Sequence, residues 1–199
     1  MTIAILGAGL QGACIALELA RRGFVIDLVD QDPVPFNRAS LRNEGKVHLG
    51  FVYAKDQSLR TARLMVRGAF AFRRLLSGWT DGAFDRLSVS APFAYLVPED
   101  SLLLPSELMS HYAAVQLLCE EELGAGGDYL GVKPDALWGP LDRCDYAPFV
   151  PVERVQAGFT TAEVSVDLRG LAVLLRTVLS AHPRVRLRSV LSASPRELT

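Results

Sequence analysis

Three glycines, Gly7, Gly9 and Gly12, stand at GxGxxG spacing directly after the apolar run Ile3-Ala4-Ile5-Leu6. A buried strand that leaves through such a turn and continues as a helix can seat a dinucleotide pyrophosphate. Gly7 lets the chain turn tightly, Gly9 keeps a Cβ away from the phosphates, and Gly12 lets the helix approach the strand. Leu10 and Gln11 lie at the helix N-terminus, where unpaired N–H groups and the positive end of the dipole attract an anion. A second run, Val25-Ile26-Asp27-Leu28-Val29, ends at Asp30, with Gln31 next. An acid at that point can accept hydrogen bonds from adenosine ribose hydroxyls and would repel a 2′-phosphate, which disfavours NADP.

These residues need a βαβ unit to position them. Ala13, Ala16, Leu17 and Ala20 recur at helical spacing and predict one apolar face against a sheet. Gly23 follows Arg21 and Arg22, as a helix stop with cations in the last turn. The same turn could belong to a βαβ unit that binds nothing, but strand, glycines, helix and acid fall in one register.

Beyond Asp32-Pro33-Val34-Pro35 and a polar stretch, the pattern turns helical from about Asp56, through Leu59, Ala62, Val66 and Ala69 to Leu76. Arg60, Arg63, Arg67 and Arg74 share its polar side, which reads as a solvated face rather than a basic wall. Leu87 to Val97 predicts strands, and Ser106 to Glu122 a helix with Leu108, Tyr112, Val115 and Leu118 or Cys119 inward. Prolines make the stretch from Lys133 to Pro151 loops and short strands. A last helix begins near Asp167 as N-cap, with Leu168, Leu171, Leu174, Leu175 and Val178 facing a core. Val185 to Val190 then alternates as a strand, which Ser192-Ala193-Ser194-Pro195 does not continue.

A net charge of −1 over 199 residues argues against a general nucleic-acid or membrane-surface binder. No apolar run approaches a bilayer-spanning length. Cys14, Cys119 and Cys144 are far apart and odd in number, which fits a reducing cytoplasm and neither a disulfide framework nor a zinc site. His48, His111 and His182 are equally scattered, so no metal is expected.

Residues 7–33, GAGLQGACIALELARRGFVIDLVDQDP, resemble the FAD-binding start of the D-amino-acid oxidase-like flavoproteins. That group includes glycine and sarcosine oxidases, 2-hydroxyglutarate oxidases and glycerol-3-phosphate dehydrogenases. A second match, Ala39 to Gly50, resembles the segment that wraps the flavin between pyrophosphate and ring. The resemblance implies that Ser40, Arg42 and Asn43 bond phosphate or ribityl oxygens, that Gly45 admits the ring, and that His48 lies close to flavin or substrate. Glu44 departs from the pattern, standing where relatives tend to carry a small or neutral residue. A looser match, Glu163 to Ser180 with the strand Val185 to Leu191, implies a return to the FAD domain with Val190 passing the adenine.

The expected fold is α/β: a Rossmann-like FAD/NAD(P)-binding domain over 1–85 and 160–199, with an inserted mixed α+β substrate-domain portion over 86–159. The chain is expected to stop before that fold is complete, because the resemblance implies a second flavin segment and a substrate clamp in a C-terminal half. The expected function is FAD-dependent oxidation of a C–H next to an amine or hydroxyl of a small substrate, such as an amino acid or 2-hydroxy acid. An NAD-dependent dehydrogenase and a non-catalytic nucleotide-binding remnant are the alternatives. The expected partners are the small-molecule substrate and either a C-terminal half or a second copy, with no nucleic acid and no membrane span.

Overall fold

The computed structural model describes residues 1–131 and 136–190. In chain order the first elements are β1 (Thr2–Leu6), α1 (Leu10–Arg21), β2 (Val25–Asp30), β3 (Lys46–Val47) and α2 (Arg60–Trp79). There follow β4 (Ala94–Pro98), α3 (Pro105–Gly124), β5 (Trp138–Leu141) and the short α4 (Arg143–Tyr146). Last come β6 (Val155–Thr161), β7 (Val164–Ser165), α5 (Leu168–Ala181) and β8 (Val185–Ser189). Leu191, the segment Ser192 to Pro195, and Lys133 and Pro134 lie outside the described residues.

The chain forms two compact units. The first comprises Met1–Gly45, Leu75–Ser88 and Val166–Thr199, the second Lys46–Arg74 and Val89–Ser165.

In the first unit a parallel sheet runs in the order β1-β2-β8, with Ile5 opposite Leu28 and Leu28 opposite Leu187. Helices α1 and α5 pack on it and on each other. The buried face of α1 is Ala13, Ala16, Leu17 and Ala20, the four positions that the spacing predicts. Gly23, at φ +97, ends the helix: its N–H reaches Ala20 O, and Phe24 N–H reaches Leu19 O. That pair of bonds satisfies the last carbonyls and needs a left-handed residue between them. Asp167 caps α5 by accepting from Arg169 N, and Leu171, Ala172, Leu175 and Leu179 form its buried side. β1 is less buried than its composition predicts. It stands at the sheet edge among the described residues, and Leu6 is 83 % exposed.

The second unit pairs β4-β6-β5 antiparallel, with β3 and β7 forming a separate two-stranded ladder. Its strand over the predicted Leu87–Val97 is the shorter Ala94–Pro98. Tyr112 of α3 meets Phe51, Trp138 and Phe159 edge-on, at ring separations of 5.0, 5.5 and 5.2 Å. Such T-shaped contacts place the positive ring edge on the neighbour's negative face. α2 begins at Arg60 rather than near Asp56. Asp56 accepts from the N–H of Ser58 and of Thr61, and Leu59 takes φ +56, so the preceding residues form a cap instead of a turn of helix. Two exposed arginines of α2 reach α3: Arg63 lies 3.5 Å from Glu121 and Arg67 4.0 Å from Glu122. Surface pairs of this kind add little stability.

No described helix is long and apolar enough to cross a membrane.

Candidate functional site

The glycine turn of the first unit is built from backbone. Gly7 takes φ +97 and donates its N–H to Val29 O at 2.7 Å, tying the turn to the end of β2. A Cβ on Gly12 would fall 1.9 Å from Gly7 O, so no side chain fits there without moving the turn itself. A Cβ on Gly9 would sit 3.1 Å from Ser40 Oγ, a milder conflict with a side chain. The first-turn amides of Leu10, Gln11 and Gly12 have no carbonyl four residues back inside the helix. Ser40 Oγ accepts the N–H of Leu10 at 3.0 Å, and no acid occupies the first turn of α1. A cleft of about 480 Å³ opens over this turn, lined by Leu6, Gly7, Gly9, Gln11, Ile15 and Ser40 among others.

Asp30 braces the turn from below. One carboxylate oxygen accepts the N–H of Ala8, and the other accepts the N–H of Asp32 at 2.9 Å. A carboxylate has further lone pairs, so a hydroxyl donor could still be received. Beside it lies a small cleft of about 40 Å³ lined by Leu28, Asp30, Leu187 and Ser189. Val190 follows Ser189 in the chain and donates its N–H to Asp30 O at 2.9 Å. Gln31 is exposed at the end of β2.

The polar loop after Pro35 supplies a third cleft, of about 480 Å³, lined by Asp32, Asn37, Arg38, Ala39 and Arg42. Arg42 is exposed there. Arg38, which the sequence reading passes over, grips Asp32 with two bonds of 2.7 and 3.1 Å. Its guanidinium holds the Asp32 carboxyl below the usual carboxylate range. Asn43 works locally, donating to Ala39 O and accepting from Gly45 N at 2.8 Å. Gly45, at φ +68, passes so close to Val166 O that a Cβ would stand 2.6 Å away. Glu44 is exposed.

His48 belongs to the second unit, in a turn organised by a residue that the sequence reading did not single out. Glu163 is fully buried, and its Oε1 accepts the N–H groups of Leu49 at 2.6 Å and Gly50 at 3.2 Å. Its Oε2 accepts the Tyr95 hydroxyl and lies 3.5 Å from His48 Nδ1, which is itself buried and meets no acceptor or donor at bonding geometry. Lys46 Nζ donates to Tyr95 Oη at 3.1 Å and sits 3.8 Å over the Phe93 ring. Burial alone would push the Glu163 carboxyl up; the adjacent His48, the Tyr95 hydroxyl and the Leu49 N–H outweigh it and hold it below the usual range. Burial and the Glu163 hydrogen bond push the Tyr95 phenol up, so it remains a donor at every ordinary pH. On the other side of the turn, His111 Nε2 lies 3.0 Å from Gly50 O, and Tyr129 donates to Val47 O. The available signal for Glu163 was a single acid inside Phe159 to Val166, a run of small and β-forming residues.

The family model of the FAD dependent oxidoreductases (DAO) matches residues 2–182. Among solved structures, glycine oxidase from Geobacillus kaustophilus is similar at TM-score 0.63 and 16 % identity, over 94 % of this chain and 45 % of that one. Iminodiacetate oxidase from Chelativorans sp. BNC1 gives TM-score 0.59 and 20 % identity, over 95 % and 46 %. L-proline dehydrogenase from P. horikoshii gives 0.59 and 13 %, over 94 % and 43 %. At these identities the likeness is one of fold. The chain spans somewhat less than half the length of each of these three proteins. No curated protein matches its sequence.

Proposed function

This chain belongs to the FAD dependent oxidoreductase family, and we propose that its first unit holds the ADP half of FAD in an enzyme that oxidises a C–H bond beside an amine or hydroxyl. Small substrates such as amino acids or 2-hydroxy acids suit that chemistry. The observation that carries the reading is the floor of the glycine turn, where Gly12 lies against Gly7 O and no acid occupies the first turn of α1. That arrangement fits a pyrophosphate over Gly7, Gly9, Leu10, Gln11 and Gly12. Asp30 and Gln31 would receive the ribose, and Val190 would border the adenine. Ser40, Arg42 and Asn43 offer donors for phosphate or ribityl oxygens, and Gly45 keeps the backbone low.

When bound, FAD supplies the acceptor for the two electrons and hydrogen of the C–H bond. The chain's own part is to bind, orient and manage the remaining proton. His48 is the residue we assign to take that proton from the amine or hydroxyl, leaving an imine or carbonyl product. A nicotinamide dehydrogenase would use the same turn and acid; family membership favours the flavin. A C-terminal half or a second copy of the chain is the partner this reading calls for.

The test is calorimetry with FAD and ADP, alongside the visible spectrum of the FAD-titrated protein. Flavin bands should accompany saturable binding, and Gly9→Val should abolish both. Asp30→Ala should weaken binding by roughly 1.5–3 kcal/mol per hydrogen bond lost to the charged acceptor. Unchanged affinity in both variants would move the site elsewhere.

A further inference from the structure

The buried carboxylate of Glu163 faces two different kinds of neighbour across its two oxygens. On Oε1 it meets backbone amides, which can only donate: Leu49 N at 2.6 Å and Gly50 N at 3.2 Å. On Oε2 it meets the Tyr95 hydroxyl and, at 3.5 Å, the buried Nδ1 of His48. The Tyr95 hydroxyl cannot turn away. Lys46 Nζ occupies its oxygen at 3.1 Å, and an ammonium can only donate, so the phenolic hydrogen is directed to Glu163. An ionised carboxylate in turn only accepts. A bare Nδ1 facing Oε2 would set one buried lone pair against another, whereas Nδ1–H faces an acceptor 3.5 Å away.

We propose that Glu163 is a positioning residue that fixes His48 as the Nδ1–H tautomer and so leaves Nε2 as the ring's free acceptor. This is opposite to the Nε2–H form that an unconstrained histidine side chain favours. The inference of the tautomer stands on the second unit alone. Its consequence for catalysis, that Nε2 is the atom that receives a substrate proton, rests on the reading of His48 given above. Tyr53, whose ring meets His48 edge-on at 5.9 Å, presents an aromatic edge contact and no competing carboxylate.

The carboxamide variant turns this into a sharp test. In Glu163→Gln made in a Tyr95→Phe background, where no phenol competes for the amide oxygen, the two backbone donors require it at the Oε1 position, which forces the NH₂ group toward His48 Nδ1. A donor at that place demands a bare Nδ1, so the tautomer should invert. Nitrogen-15 correlation spectra of the full 199-residue chain read the tautomer directly, with His48→Gln assigning the signals. The expected ratio in the unsubstituted protein is at least about tenfold in favour of Nδ1–H, the factor that one charge-assisted hydrogen bond confers. Tyr95→Phe, which removes a competing donor and keeps the carboxylate, should retain Nδ1–H, and adding Glu163→Gln to it should reverse the preference to Nε2–H. An Nε2–H form in the unsubstituted protein overturns the proposal with no variant needed. So does a folded Tyr95→Phe/Glu163→Gln protein with an unchanged ratio. Neither result bears on whether the first unit binds FAD, which the calorimetry decides separately.

Discussion

The two glycine-containing turns of this molecule are held in different ways. In the first unit the turn from Gly7 to Gly12 is fastened by main chain, with Gly7 N on Val29 O and Gly12 pressed against Gly7 O. Its side-chain braces are Ser40, which accepts the N–H of Leu10, and Asp30, which sits at the end of the next strand and is partly exposed. In the second unit the turn from His48 to Gly50 is fastened by a side chain more than a hundred positions away, the fully buried Glu163. The first arrangement leaves an open rack of amides that an anion can enter. The second fills its amides with a fixed anion of its own, which turns the same kind of donors into a clamp on a histidine. One turn is organised to receive a negative charge, the other already contains one.

The largest effect separating them should come from deleting that internal anion. Glu163→Leu leaves two backbone N–H groups and a tyrosine hydroxyl without an acceptor in a buried site. At about 1–3 kcal/mol for each unsatisfied group, the second unit should lose about 3 kcal/mol or more. The two tryptophans allow each unit to be followed alone: Trp79 belongs to the first, where it donates to Glu18, and Trp138 to the second, where it packs on Tyr112 and Phe159. Denaturation monitored through Trp138 in a Trp79→Phe background should shift strongly to lower denaturant. A midpoint unchanged by Glu163→Leu would remove the distinction between the turns.

A smaller effect is expected from Gly12→Ala. Its Cβ meets a carbonyl oxygen that belongs to the turn, not a side chain that can swing aside. Overpacking of that kind costs about 1–3 kcal/mol. Gly9→Ala, whose new Cβ meets only Ser40 Oγ, should cost less than Gly12→Ala. The Trp79 signal of a Trp138→Phe protein reports both. Equal losses for the two alanines would mean that the turn yields more easily than its main-chain contacts imply.

The difference between the turns also explains which parts could be read from sequence. Apart from Ser40, the residues that position the first turn lie within the first thirty and follow local rules: the burial of Ala13, Ala16, Leu17 and Ala20, the left-handed Gly23, and the acid at the end of β2. The Asp167 cap of α5 is legible for the same reason. The clamp is not, because Glu163 acts at a separation of 114 residues from Leu49, and no periodicity connects them. His111, in sequence only one of three scattered histidines, stands on the buried face of α3 beside Tyr112 and Val115. The later start of α2 depended on Asp56 choosing to cap with its side chain, a competition between local hydrogen bonds that helical spacing does not register. Partial exposure of β1 is a matter of sheet order, which composition cannot convey.

The smallest effect, and the one that isolates the charge of the clamp from its shape, is the response to acid. Glu163 titrates below its ordinary value in the folded chain, because its neighbours outweigh the cost of its burial. A carboxyl depressed on folding contributes stability above its unfolded value, about 4.3 for glutamate, and loses it as pH falls through the folded value. Stability reported by Trp138 should therefore be flat in this respect near neutrality and decline below about pH 4.3, with a slope from this group of no more than about 1.4 kcal/mol per pH unit. Glu163→Gln removes the titration and keeps an acceptor for Leu49 and Gly50. Its deficit relative to the unsubstituted protein should be largest at neutral pH and shrink on acidification. At Trp79 the relevant acid is Glu18, which the hydrogen bond from Arg21, then those from Trp79 and Arg22, hold at about 2. Acidification should disturb that contact only near that value, and added salt should weaken it, because the pair is at the surface. If the deficit of Glu163→Gln stays constant from pH 7 to pH 3, the carboxylate contributes shape and not charge, and the contrast between an open turn and an internally charged one fails.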